Sequence, residues 1–508
     1  MTDLSLDGLR FAAKRLHHAY IARAPWAVER LAQHPPGKPP EALTRADFLH
    51  VIAQEHGFAS WPKLKLAAET LGLDRAAAQQ QLKIALFHGQ NARTEALLAR
   101  FPDLADGLFG LQCALYQREA VAAALAAKPG LAVERLGPRT PILHLAFSKW
   151  IHARPDLEAD MLAVAQMLLD HGADVNDGYP YQPGEDHLLS ALYGAIGHAD
   201  NMVLGRWLME HGADPNDGES LYHATELGHH AGLRMLLEAG ADPKGTNALF
   251  RAMDFNDHGA VRLLLDHGAR VDDYNAAPVG GEAPVVIPAL HQVARRGCDG
   301  AMARMVLEAG ADPALRWKGV TAYEMAVVFG SDAVAEAIRE AGGETSVSPQ
   351  TEPLVAAVEG RDGPFIDPAK LPEAFAHLLR EMVHMADRLP QMQALVARGL
   401  PYDQPDAHEK VTPTHIAGWS GLPEVLGWLI GLRPDLSHVN AYGGTLLSTI
   451  IHGSENNPAR EGRDYLACLT LALEAGVALP EAALRGAGRA DVAAFLEAWA
   501  EAHPGQVV

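Results

Sequence analysis

Three stretches decide the fold: MLLDHGADVND (167–177), WLMEHGADPND (207–217) and MLLEAGADPKG (235–245). Each is an apolar, helix-like run followed by Gly-Ala-Asp and then Val or Pro. Looser copies follow at LLLDHGARVDD (263–273) and MVLEAGADPAL (305–315), with a degenerate one at AIREAGGE (337–344). The glycines stand at 172, 212, 240, 268, 310 and 342, so successive spacings are 40, 28, 28, 42 and 32 residues. Recurrence at such a period marks one supersecondary unit with variable loops. Leu233, Leu236 and Leu237 fall at i, i+3 and i+4, which makes one buried helix face. Gly240 stands where a left-handed helix cap is expected, and Pro243 stops the helix from resuming. One such unit cannot bury its apolar stripe alone, so the units must stack.

A second phrase precedes these runs. It reads Thr140-Pro141-Ile142-Leu143-His144-Leu145-Ala146 and Thr412-Pro413-Thr414-His415-Ile416-Ala417, with a looser version at 319–326. Thr serves as N-cap there and Pro fits the first helical turn. Together the two phrases resemble the ankyrin repeat family, whose unit runs turn, T-P-L-H-x-A-A, glycine, second helix and G-A-D-x-N. The resemblance implies an all-α ankyrin-repeat solenoid of stacked helix–turn–helix units with short or irregular connectors, preceded by a small helical module of a kind found ahead of bacterial ankyrin arrays.

The expected organisation has five parts. Residues 1–75 form a helical N-terminal module, and 76–137 hold degenerate helix pairs. Residues 138–343 are the ankyrin repeat block, and 344–356 a linker or break. Residues 357–503 form a second, irregular block with a C-terminal cap helix; Gly399 and Gly476 mark helix ends in it. The longer units carry inserts at 178–188 and 274–288. A third insert, 452–465, is polar, and Pro458 with its two glycines is expected to prevent a helix. In the N-terminal module Thr44 and Asp47 read as a capping pair, Gly57 as a helix end, and Ser60-Trp61-Pro62 as the start of the next helix.

Composition narrows the function. The chain has 508 residues, with 42 Lys+Arg against 63 Asp+Glu, a net charge of −21. Such acidity argues against a general nucleic-acid binder and against adhesion to anionic membrane. Residues 1–80 hold ten basic and eight acidic residues, an excess of two that is a poor footprint for a helix-turn-helix reader of DNA. The three cysteines, Cys113, Cys298 and Cys468, lie far apart, as in a reducing cytoplasm. No secretory signal is visible in MTDLSLDGLRF, and no apolar run is long enough to span a bilayer.

The 25 histidines invite a metal or acid–base reading. Many fall on repeat landmarks instead. His144 and His415 occupy the T-P-x-H slot, and His171, His211 and His267 precede the Gly-Ala-Asp glycine at a helix C-terminus. No HExxH, GxSxG or Walker A sequence is present, so no catalytic residue, metal or cofactor is expected. His291 and His452 lie outside these slots. The polar constellation His452, Glu455, Asn456, Arg460 and Arg463, with Asp464 and Tyr465, reads either as a solvated loop or as a recognition surface.

The resemblance places the binding face at connector tips and at the exposed end of each first helix. Carried over, those helix positions are Glu226 and Leu227, Asp254 and Phe255 (with Asn256 in the glycine slot), Arg295 and Arg296, Val328 and Phe329, and Trp419 and Ser420. The expected partner-binding residues are Arg295, Arg296, Trp419, Phe255, Glu226 and Phe329. The competing expectation is that the aromatics pack between helices and that the arginines pair with an acid of the next repeat. The implied function is a protein–protein interaction module. The alternatives are an enzyme or small-ligand binder with a pocket between the inserts and the concave face, and a secreted effector that binds host proteins.

Overall fold

The computed structural model describes residues 6–181, 184, 187–273, 286–457, 459–487 and 489–508. They form two compact units, Met1–Pro288 and Ala289–Val508. The division falls inside the 138–343 stretch. The described strands make two short antiparallel hairpins, Gly178–Pro180 with Leu188–Ser190 and Arg316–Trp317 with Val320–Thr321. No helix among the described residues is long and apolar enough to cross a membrane.

The first unit opens with the helices Leu6–Ile21, Pro25–Gln33, Arg45–Glu55 and Trp61–Leu71 around a core that includes Leu16, Phe48, Ile52 and Leu64. The Thr44 N–H donates to Asp47 Oδ2 at 2.8 Å, and Gly57 takes φ +80°, as the capping pattern requires. Helix pairs follow. Short first helices such as Pro141–Ala146, Ser220–Ala224 and Ala248–Asp254 alternate with second helices such as Glu158–Asp170, Ala231–Glu238 and His258–Asp266. Ser220–Ala224 packs on Ala248–Asp254, and Ala231–Glu238 on His258–Asp266, so like stacks on like.

Repeated side chains tie the stack together. Gly172, Gly212, Gly240 and Gly268 take φ of 93, 97, 93 and 97°, a left-handed cap that any Cβ would strain. His171, His211 and His267 each donate from Nδ1 to the carbonyl four residues back, at 2.7, 2.7 and 2.8 Å. Asn176 Oδ1 accepts from the Asp214 N–H and Asn216 Oδ1 from the Asp242 N–H, both at 2.8 Å, linking each turn to the next. Asn256 has φ +50°, so it does stand in the glycine slot. The repeat two before it departs from the pattern: a π-helical turn, Gly194–His198, moves the left-handed residue to Asp200, φ +51°.

The second unit repeats the plan with Ala289–Arg295 and Gly300–Glu308, then Ala322–Val328 and Asp332–Glu340. The segment 344–356 is tied in: the Ser348 N–H donates to the buried Glu324 Oε1 at 2.7 Å, and the helix Glu352–Val358 packs on Ala322–Val328. Its partner Leu389–Ala397 comes only after an insertion of short helical turns, Pro368–Lys370, Glu373–Phe375, Leu378–Met382 and Ala386–Arg388. Then follow Pro413–Trp419 with Pro423–Gly431, Leu446–Asn456 with Tyr465–Glu474, and the closing helix Ala490–Ala502.

Two insert expectations meet different outcomes. Residues 274–285 of the 274–288 insert lie outside the described residues. The helix expected to be absent from 452–465 is present through Asn456, which makes His452, Glu455 and Asn456 helical. Gly453 does not break it; it allows a close approach, since a Cβ there would stand 2.8 Å from the Trp419 Cα. The gain from packing two helices this closely outweighs the propensity cost of glycine, about 1 kcal/mol.

Candidate functional site

The richest polar cluster among the described residues lies on the first-helix side of the first unit. Asp217 starts it by organising the turn before Ser220–Ala224. Its Oδ1 accepts from the Glu219 and Ser220 N–H groups (3.0 and 2.8 Å), and its Oδ2 from Ser190 Oγ and Ser220 Oγ (2.5 and 2.6 Å). That turn aims Glu219 inward, where its side chain is fully buried. A buried carboxylate needs partners. His187, at the end of the 178–190 hairpin, bonds Oε1 through Nε2, and His223 Nε2 lies 3.1 Å from Oε2.

The cluster continues into the next repeat. His223 Nδ1 lies 2.7 Å from Glu226 Oε2. Glu226 Oε1 accepts from Arg251 Nε at 2.8 Å and pairs with Nη2 at 2.7 Å, while Arg251 Nη1 reaches Asp254 Oδ2 at 3.2 Å. The guanidinium also sits 5.1 Å from the Phe255 ring centre and 5.6 Å from that of Tyr222. Burial would lower the His223 pKa, but the bonds to Glu219 and Glu226 outweigh it and raise it to about 9. Burial would likewise raise Glu226, but His223 and Arg251 hold it below the usual carboxylate range. At neutral pH His223 is therefore a cation and Glu226 an anion beside the Arg251 guanidinium. With Glu219 sealed from solvent and His223 donating from both nitrogens, its protons serve internal bonds. Phe255, at 47% exposure, is the part offered to solvent.

Of the expected partner-binding residues, the structure brings Glu226 and Phe255 together, with Arg251 between them. The sequence reading missed Arg251, although its place four residues before Phe255 on one helix was a signal. The second-unit residues fall elsewhere. Phe329 is 0% exposed and Val328 likewise, so the exposed position expected there is interior; a full aromatic ring gains more from burial. Arg295 is 6% exposed, bonds Gln292 Oε1 through Nη2 (2.9 Å) and pairs at 3.5 Å with Glu381, an acid of the insertion turn Leu378–Met382 rather than of the next repeat. Arg296 is half-buried. Trp419 is half-buried, with its ring 5.2 Å from His452.

The polar insert does not converge on one point. Asn456 Nδ2 lies 2.8 Å from His452 Nδ1, Arg460 Nη1 bonds the Asn457 carbonyl at 3.2 Å, and Asp464 caps Tyr465–Glu474. Glu455 is half-buried on the same helix, and the Arg463 Cβ lies beside Gly421. Asn457 and Tyr465 tie the insert to the preceding repeat: their Nδ2 and OH both donate to the Trp419 carbonyl, at 2.9 and 3.1 Å.

His291 is a repeat landmark after all. It is 1% exposed and bonds the Val320 carbonyl through Nε2 at 3.0 Å, as His144 bonds that of Leu136 at 3.1 Å. Pro288-Ala289-Leu290-His291 matches Pro141-Ile142-Leu143-His144 in spacing, and the missing Thr hid the match. His223 stands in the same slot, with Glu219 in place of a backbone acceptor. Among the described residues no group of three or more His, Cys, Asp or Glu is arranged to hold a metal ion.

Residues 192–275 match the family model described as ankyrin repeats (3 copies). The crystal structure of the human ASB11 ankyrin repeat domain is similar at 18% sequence identity and a TM-score of 0.24, over 49% of this chain and 96% of that one. No curated protein matches the chain. The matched segment contains Glu219, His223, Glu226, Arg251 and Phe255, so most of the cluster lies within the matched ankyrin repeats.

Proposed function

We propose that the protein is a protein-interaction module that binds its partner through the first-helix face of the repeats around Phe255. Ankyrin repeats are generally protein–protein interaction modules. The observation that carries the choice of face is the exposed Phe255 ring beside Arg251, whose guanidinium is already fixed by Glu226 and Asp254. Aromatic and Arg side chains are enriched at interfaces, and side chains ordered before binding lose less entropy on it. The three cysteines are buried and lie far apart in the sequence, which supports a reducing, cytoplasmic setting.

The test is affinity capture from source cells with wild type and Phe255→Ser. Phe255→Ser is expected to melt like wild type and to lose a defined set of captured proteins. Capture of the same proteins at unchanged yield would put the partner face elsewhere.

A further inference from the structure

A cavity of ≈ 370 Å³ opens in the first unit between the helices Arg75–His88, Phe109–Ala114 and Pro141–Ala146 and the turn 136–139. Its lining combines the apolar Leu86, Leu111 and Leu136 with Lys83, Arg139 and His144. Arg139 is enclosed by aromatic rings. Its guanidinium carbon lies 4.5, 4.7 and 4.5 Å from the ring centres of Phe87, Phe147 and Tyr179, and Nη2 donates to Tyr179 OH at 2.6 Å. Gly194 permits the cage, since a Cβ there would stand 2.6 Å from the Phe147 ring, and Gly110 makes room for His144, whose ring a Cβ would approach to 2.8 Å.

The cage supplies no counter-charge. Neither Arg139 nor Lys83 pairs with a carboxylate among the described residues, and the buried Arg139 Nε has no acceptor. Asp177, the acid of the neighbouring connector, is taken by Thr140 Oγ1 and the Gly178 N–H. A guanidinium has five N–H donors, so Arg139 has spare ones after its bond to Tyr179. More positive charge stands behind Phe87: Lys149 acts with burial to hold His198 far below its ordinary pKa, at about 3. In a chain of net charge −21, unpaired basic groups around an apolar pocket form a local sink for anions.

We propose that this cavity is a binding site for a small organic carboxylate, its head on Arg139 and Lys83 and its apolar body against Leu86, Leu111 and Leu136. Pocket volume and mixed lining match those of small-molecule sites. The site is separate from the proposed partner face and stands or falls independently of it.

Isothermal titration calorimetry on the full chain tests it, with hexanoate, 1-hexanol and inorganic phosphate as probes and with Lys83→Gln and Arg139→Gln as variants. Hexanoate is expected to bind, with hexanol roughly tenfold weaker or more, as loss of a charge-assisted bond implies. Lys83 is exposed, so Lys83→Gln should leave the melting temperature unchanged and weaken hexanoate several-fold. Arg139→Gln should abolish binding; if that variant does not fold, Lys83→Gln decides alone. The proposal is overturned if hexanoate gives no binding heat, if hexanol binds equally well, if phosphate binds and hexanoate does not, or if Lys83→Gln binds hexanoate like wild type.

Discussion

His223 Nδ1 lies 2.7 Å from Glu226 Oε2 while its Nε2 lies 3.1 Å from Glu219 Oε2, so both ring nitrogens face carboxylates. A neutral imidazole has one N–H and could serve only one of them. The arrangement favours the cation, and the bonds to Glu219 and Glu226 raise the His223 pKa to about 9. A folded-state pKa above the unfolded value of about 6.5 contributes stability that is full below that pH and is lost as pH rises through about 9. The contribution is on the order of 3 kcal/mol. Denaturant midpoints are expected to fall between about pH 7 and 9.5. Glu226→Gln should lower the midpoint at pH 6 and flatten this alkaline limb; an unchanged limb in that variant would sink the assignment.

The acid side has the opposite origin. Burial pushes His291 down to about 4, His198 to about 3 and His415 to about 4. The unfolded chain takes up these protons near pH 6.5, before the folded one does. Stability present above about pH 6.5 is therefore lost as pH falls toward 4. Melting temperatures from pH 7 to 4.5 should show this decline. His291→Gln has no proton to gain and can still donate to the Val320 carbonyl, so its decline should be shallower.

The repeat phrases made the helix ends legible, because a left-handed glycine and an apolar stripe leave a local signature. Gly240, Asn256 and the histidines of the 171, 211 and 267 set are placed as the sequence predicts. The helix through 452–456 was not legible. Glycine and polar residues signal a loop locally, whereas Gly453 serves a contact with Trp419, distant in sequence. The candidate site was half legible. Position within the repeat located Glu226 and Phe255, but which residues the stack seals, Phe329 and Arg295 among them, depends on neighbouring repeats.

Two helical glycines, Gly431 and Gly453, should separate close packing from helix propensity. Gly453→Ala drives a methyl group into the backbone of Trp419, which cannot move as a side-chain tip could. Such overpacking costs about 1–3 kcal/mol. Gly431 is exposed and helical, and a Cβ added there would meet nothing within 4 Å. Gly431→Ala should be neutral or stabilise by up to about 1 kcal/mol. Chemical denaturation of both variants checks the sign of each change; a neutral Gly453→Ala would contradict the close approach.

Arg295 distinguishes a surface recognition residue from an interior tie. A residue held for a partner would tolerate alanine with a change within about 0.5 kcal/mol. Arg295 is instead 6% exposed, with its guanidinium shared between Gln292 and Glu381. Arg295→Ala removes the packed methylene stem as well as the charge, and should cost about 2–3 kcal/mol. Arg295→Met keeps an apolar stem of similar length, and Glu381, 28% exposed, can turn its carboxylate to water. A buried ion pair is replaceable by well-packed apolar groups at little cost, so the methionine variant should lose less than about 1 kcal/mol. Equilibrium unfolding of the two variants side by side is the measurement. If alanine and methionine are equally costly, the charge rather than the stem holds this part of the second unit together.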